Sequence, residues 1–276
     1  MKDENLLHAN KTWLYDIPNE EYHNGLFKNR IGSTNIQTFL KSPAHLKASK
    51  DEIKDQTPAQ IFGSAFHSIA LGFAEEVAVI PDINRRTKAG KEEWETFQSN
   101  NGGKYLVNQD DKTAIEHMVD AIKSHRLARK LIESKSAKME VTGLFSDNGT
   151  GLPCKIRPDI LDLDIAIISD LKTTIDASPE SFVKSIFNFG YHISACWYQY
   201  GYQRIEGYVP AFIVIAVEKA PPYGVTTWNM RGEAIDIAET IIHRAMPKLA
   251  RCVKTDKWPG YPHDLLAVEV PGWIKR

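Results

Sequence analysis

Cysteine is scarce in this 276-residue chain: Cys154, Cys196 and Cys252 are far apart and odd in number. That excludes a disulfide framework or a cysteine zinc site and fits a reducing compartment, so a cytoplasmic protein is expected. Long apolar runs are missing too. The N-terminus is polar, with no apolar leader segment, and no stretch approaches a membrane span, so the expectation is a soluble protein with no membrane partner. There is no excess of either charge. With 34 basic against 35 acidic side chains the net charge is −1, which argues against a passive nucleic-acid coat. Any nucleic-acid site must arise from local clustering. Internal repeats and low-complexity linkers are also lacking, so one domain over residues 1–276 is expected, with an N-terminal arm at 1–30 packed on the body.

What is present is a dense stretch at 154–174. It reads as two extended runs, 155–161 and 165–174, joined through Asp162 and Asp164. Ile165 to Ile168 is a short apolar run of the buried-strand type. Side chains alternate along a strand, so Asp170 and Lys172 share one face and Leu171 the other. If the runs pair, Asp159 lies beside Asp170 on that face. Two hard oxygen donors next to an ammonium suit Mg²⁺, which keeps its other positions for water and phosphate oxygens. The lysine can hold or deprotonate a water and offset charge building on phosphate. The plain alternative is a solvated hairpin with Asp170 and Lys172 as an ordinary exposed pair.

The wording Arg157-Pro158-Asp159, some ten residues, then Asp170-Leu171-Lys172 resembles the signature of the PD-(D/E)xK nuclease superfamily. Cys154-Lys155-Ile156-Arg157-Pro158-Asp159 with Asp170-Leu171-Lys172-Thr173-Thr174 more narrowly resembles the nuclease domain of exodeoxyribonuclease VIII, the RecE family. So does the opening Ser33-Thr34-Asn35-Ile36-Gln37-Thr38-Phe39-Leu40-Lys41-Ser42-Pro43. The resemblance implies an α/β fold with a mixed central sheet flanked by helices and a core over 58–217. It implies Mg²⁺, with Mn²⁺ a possible substitute, held by Asp159 and Asp170, with His67 as a further ligand matching a Gly-x-x-x-His helix. Glu140 matches an acidic position that holds metal directly, through water, or merely sits at the sheet edge. A Gln-x-x-x-Tyr motif of such domains is kept at Tyr198 but replaced by Ser194 at its first position.

Elsewhere the chain reads as follows. Ser33 or Thr34 caps a short helix halted at Ser42-Pro43, and Thr57-Pro58 opens another. On the latter Gly63, His67, Ala70 and Leu71 share a face whose small residues permit close packing; there His67 is either a core histidine or a ligand. A short helix is expected at 92–97, a longer one at 109–123, and a strand at 139–145 before the turn at 147–151. Lys123, Arg126, Arg129, Lys130, Lys135 and Lys138 form either a solvated face or a phosphate contact, and Arg157 joins Arg126 and Arg129 as a DNA-contact candidate. A helix starts at 178–180 and ends near Gly190, and a second follows. Strands are expected at 209–217 and 225–230. A helix over 232–251 should turn Ile235, Ala238, Glu239 and Ile242 inward.

Taken together, the resemblance implies hydrolysis of linear double-stranded DNA from an end, 5′ to 3′, leaving a 3′ single-stranded tail, with Lys172, Asp170 and Asp159 catalytic. It also implies a homo-oligomeric ring around DNA and a single-strand annealing partner, often in phages. The rivals are an endonuclease of restriction or branch-cutting type on the same core, and a non-catalytic DNA-binding recombination protein.

Overall fold

The computed structural model describes residues 11–51, 56–265 and 267–268. The chain runs β1 (Thr12–Leu14), α1 (Asn19–His23), α2 (Ser33–Lys41), α3 (Pro43–Asp51), α4 (Pro58–Leu71), β2 (Val77–Val79), α5 (Lys88–Asn100), β3 (Tyr105–Val107), α6 (Gln109–Ser124) and α7 (Arg126–Ile132). It continues β4 (Lys138–Met139), β5 (Thr142–Ser146), β6 (Pro153–Ile156), β7 (Ile160–Asp162), β8 (Ile167–Thr174), α8 (Pro179–Asn188), α9 (Tyr191–Glu206), β9 (Ala211–Glu218), β10 (Val225–Asn229) and α10 (Glu233–Thr255). Among the described residues no helix is long and apolar enough to cross a membrane.

The local signals explain many of these bounds. Thr57 and Gln60 cap each other's backbone, with Thr57 Oγ1 accepting the Gln60 N–H at 3.3 Å and Gln60 Oε1 accepting the Thr57 N–H at 2.8 Å. Pro58 stands at the first position of α4, where its missing N–H leaves no orphan. At α2 the cap is Gly32, not Ser33 or Thr34: its N–H donates to Asn35 Oδ1 at 2.8 Å. Thr87 caps α5, so that helix runs longer than the segment expected at 92–97. Residues 1–10 of the expected arm lie outside the described residues; its remainder joins the body, with Trp13 opposite Gly143 in an antiparallel pair.

The main sheet is five-stranded and mixed, in the order β10-β9-β8-β7-β4, with β8 and β9 parallel and the other pairs antiparallel. A second, antiparallel sheet runs β1-β5-β6. Strand β9 is apolar on both sides, as a central strand must be. Ile213, Ile215 and Val217 pack with α4, α6 and α7, while Phe212, Val214 and Ala216 pack with α8 and α9. Helices thus cover both faces of the main sheet. A third apolar cluster joins α2, α9 and α10 to β5 and β6.

Five expectations change. The run 155–161 is not one strand: β6 and β7 belong to different sheets, with Arg157-Pro158-Asp159 at the corner. The strand expected at 139–145 breaks in the same way between β4 and β5. Ile165 is exposed in a turn at 163–166 and Ala166 has φ 54°, so β8 begins only at Ile167. Gly63 has open space where a Cβ would be, so it makes no close packing contact, and Glu239 faces solvent, with Ala245, Met246 and Leu249 extending the buried stripe of α10 instead.

The close approach of α9 to the second sheet instead uses Gly201. A Cβ there would lie 2.7 Å from Phe145 Cε1 and 3.0 Å from two Ile156 carbons, both side chains being fully buried. A mid-helix Gly→Ala change in an open position gains about 1 kcal/mol. Gly201→Ala is expected to do the opposite and destabilise by about 1–3 kcal/mol, the scale of overpacking. Denaturant titration checks it; a variant as stable as the parent would mean that this interface yields.

Candidate active site

Two corners build the site. The chain leaves the main sheet after β4 for β5, and returns from β6 into β7. Glu140 turns the first corner in a left-handed conformation, φ 52°, which costs a non-glycine residue on the order of 1 kcal/mol. Its N–H donates to the Asp159 carbonyl at 3.1 Å, so the corners are stitched together and their acidic side chains sit side by side. Helix α4 brings His67, whose Nδ1 is 3.4 Å from Asp159 Oδ2. One ligand atom from each of His67, Glu140 and Asp159 lies within 4.8 Å of the others.

Across β7 and β8 the register is the one that alternation predicts. Ile160 pairs with Ser169, so Asp159 falls opposite Asp170. Asp159 Oδ2 also accepts the Leu171 N–H at 2.6 Å, and Leu171 itself points into the core on the opposite face. Asp170 is ion-paired with Lys172. The solvated-hairpin alternative is overturned, because Asp170 and Asp159 are only 6% and 8% exposed.

The electrostatics follow from this crowding. Burial pushes the Glu140 carboxyl up, and the neighbouring Asp159 adds to it, reaching about 8. Burial alone would raise Asp159 as well, but His67, Lys172 and the Leu171 N–H outweigh it and hold that carboxyl below its usual range. Asp170 is raised, chiefly by burial, with Lys172 opposing. Lys172 would lose its proton more easily on burial alone; Asp170 and then Asp159 reverse this and keep it an ammonium. His67 is likewise raised, Asp159 overcoming its burial. The fit to a divalent cation is good: one imidazole nitrogen and two carboxylates converge, and a bound cation would offset the repulsion between the two acids.

A cleft of about 1300 Å³ opens on this cluster, lined by Glu140, Asp159, His67 and Tyr198 together with Lys155, Arg157 and much of 16–24. The Tyr198 ring packs edge-on against Phe212 at 5.9 Å, and the residue lines the cleft. Arg157 stands in the wall with its guanidinium already engaged. It donates to Thr142 Oγ1 at 2.8 and 3.0 Å, Asn19 Oδ1 at 2.9 Å and the Ile17 carbonyl at 2.9 Å. It clamps the N-terminal segment while lining the cleft. Arg126 and Arg129 stay on α7, outside the cleft lining, and Arg129 pairs with Glu133 at 2.8 Å.

Ser194 is bonded rather than free, its Oγ accepting from Gln37 Nε2 at 2.8 Å. Sequence reading missed Gln37 as a neighbour, since α2 and α9 are joined only through the fold. It also missed Tyr22, whose ring lies 4.2 Å from Lys155 Nζ and 4.1 Å from the Arg157 guanidinium carbon. The alternation Lys155-x-Arg157 was the one available signal for this pair of cations in the wall.

Residues 32–265 match the model of a PDDEXK-like domain of unknown function (DUF3799). No curated protein matches the chain. Among solved structures, a candidate exonuclease of Eubacterium rectale aligns with a TM-score of 0.65 at 13% identity, covering 94% of this chain and 97% of that one. At that identity the likeness establishes the fold. A phage-related exonuclease of Haemophilus somnus, at 13% identity, covers 83% of this chain and 96% of its own with a TM-score of 0.37. An alkaline exonuclease of Laribacter hongkongensis, at 14% identity, covers 72% and 97% with a TM-score of 0.29. These last two alignments are too loose to carry an argument.

Glu140 yields a pH prediction for the metal-free protein. Its folded pKa is raised from 4.5 to about 8, so between these values the folded state binds more protons than the unfolded one. Stability attributable to Glu140 is therefore present below about 4.5 and is lost as pH rises through about 8. Glu140→Gln should flatten that loss, read as the difference between the two proteins in denaturant titrations with chelator across pH 5 to 8.5. Parallel pH profiles would mean that Glu140 titrates normally.

Proposed function

The chain belongs to the PDDEXK-like DUF3799 family, and from that premise we propose that it is a divalent-metal-dependent exodeoxyribonuclease of RecE type. It degrades linear double-stranded DNA from its ends, 5′ to 3′. The observation that carries the nuclease reading is the cluster of His67, Glu140 and Asp159 lining a large cleft, with the Asp170–Lys172 pair on the neighbouring strand. The end preference and polarity rest on the wording around Asp159 and Asp170, which resembles the RecE family. In the same reading Mg²⁺ is the resident cation with Mn²⁺ as substitute, the protein acts in the cytoplasm as a homo-oligomeric ring, and a single-strand annealing protein uses the 3′ tail.

Asp159, Glu140 and His67 hold the cation, and Asp170 supports it from the neighbouring strand. With the cation bound, the site gains Lewis acidity toward the phosphodiester. In the reaction water oxygen bonds to phosphorus and gives its proton to solvent, while the ester P–O bond breaks and the departing oxygen is protonated from solvent. Lys172 serves as a hydrogen-bond donor rather than a base, because the flanking carboxylates keep it protonated. From there it orients the water and offsets negative charge on the phosphate. Asp170 fixes the ammonium in place. Tyr198 presents its phenol to the cleft beside the acids.

Asp159→Ala and Asp170→Ala should each abolish cleavage of end-labelled linear duplex while the fold survives. Lys172→Ala should keep metal binding and lose roughly two orders of magnitude in turnover, with Lys172→Arg a poor rescue. Chelator should stop the reaction, and covalently closed circular duplex should resist it. Full activity in either aspartate variant sinks the site assignment; equal cutting of the closed circle replaces the exonuclease with an endonuclease.

Tyr198→Phe gives a finer test. It should keep stability, because the ring packing against Phe212 is unchanged, and weaken cleavage through loss of the hydroxyl. Unaltered kinetics on duplex DNA would place Tyr198 in the core alone.

A further inference from the structure

The cleft reaches the catalytic row from the side of Glu140, His67 and Asp159; Lys172 is not in its lining. The Lys172 ammonium meets an aromatic ring, Tyr191, at 5.3 Å from the ring centre. Phe189 lies against that ring at 5.7 Å with an interplanar angle of 32°. Phe182 backs Tyr191 at 6.1 Å and is itself fully buried. The series therefore runs from the lysine outward and ends in a large apolar ring that is 62% exposed.

Single exposed apolar side chains are ordinary on protein surfaces. This one differs in being continuous with the reacting groups and in standing on a fixed backbone. The Phe189 N–H donates to Ser185 O at 3.0 Å, closing α8. The next residue, Gly190, has φ 67°, a left-handed value that suits glycine and turns the chain into α9. The Gly190 carbonyl accepts from Ile193 at 3.0 Å, Ser194 at 3.1 Å and Gln37 Nε2 at 3.3 Å. A flat apolar face on a fixed backbone, one aromatic ring away from a cation, is a surface on which a nucleobase can stack while the adjoining phosphate takes the charge.

We propose that Phe189, backed by Tyr191, is a stacking platform for the base of the 5′-terminal nucleotide, whose 3′-side phosphodiester, the bond cut, lies at Lys172. The proposal rests on the nuclease reading above. It adds a base-binding subsite that does not read sequence, since every base offers the same kind of face.

The test compares two blunt linear duplexes, one intact and one whose 5′-terminal nucleotide lacks its base, with wild type, Phe189→Ala and Phe189→Trp. Phe189 is exposed, so both variants should fold. On the intact duplex Phe189→Ala should raise KM roughly tenfold with kcat unchanged, the scale of losing one base–aromatic stack, and Phe189→Trp should restore it. On the abasic duplex wild type and Phe189→Ala should be equal. A normal KM for Phe189→Ala on the intact duplex, or the same loss on the abasic one, would overturn the platform and leave the nuclease standing. Failure of wild type to cleave either duplex in Mg²⁺ or Mn²⁺ would remove both.

Discussion

The Glu140 N–H donating to the Asp159 carbonyl is the constraint on which the rest of the site depends. Two adjacent strands cross together from one sheet into another, and at the crossing the period of two is broken on both. Side chains that would alternate away from each other converge instead. Glu140 is held left-handed to make the turn, and Asp159 follows a proline that cannot donate a ladder hydrogen bond. The fold thus holds two carboxylates within a few ångströms where separate strands would keep them apart. That closeness, with His67 beside them, is what makes the pair a candidate cation site.

The remaining buried charges are arranged so that each has a partner, as burial requires. Asp170 and Lys172 neutralise one another. Lys155 donates to the Tyr22 carbonyl, and the Tyr22 ring contacts both Lys155 and Arg157. The two cations of the wall are thereby held by a backbone carbonyl, neutral side chains and an aromatic face. His23 stays neutral in that wall, its pKa lowered to about 4 by burial and by the same two cations.

Much of this was legible in the sequence, for identifiable reasons. Period-two alternation placed Asp159 beside Asp170 and sent Leu171 the other way, because a ladder register leaves few alternatives once one face is buried. Capping chemistry located Thr57-Pro58 and the helix carrying His67. What could not be read was where a strand changes sheet. Residues 139–145 are apolar enough to run straight on, and in 155–161 only Pro158 marks in the sequence the point where the chain changes sheet. The bonds that hold Arg157 could not be read either, because its acceptors lie 15 to 140 positions away. The Gln37–Ser194 bond spans 157 positions and left no mark in local spacing.

The segment from Thr12 to Asn24 precedes the family-matched residues, which begin at 32. Yet β1 completes the second sheet, Asn19 and Ile17 hold Arg157, and Tyr22 separates the two cations of the wall. The catalytic unit is therefore larger than the segment that defines its kinship. A chain trimmed to begin at residue 32 would keep every metal-facing side chain and lose one bank of the channel, leaving Arg157 with unsatisfied donors at the mouth. Divergence in this leading stretch would reshape the substrate path while the acidic centre stayed the same.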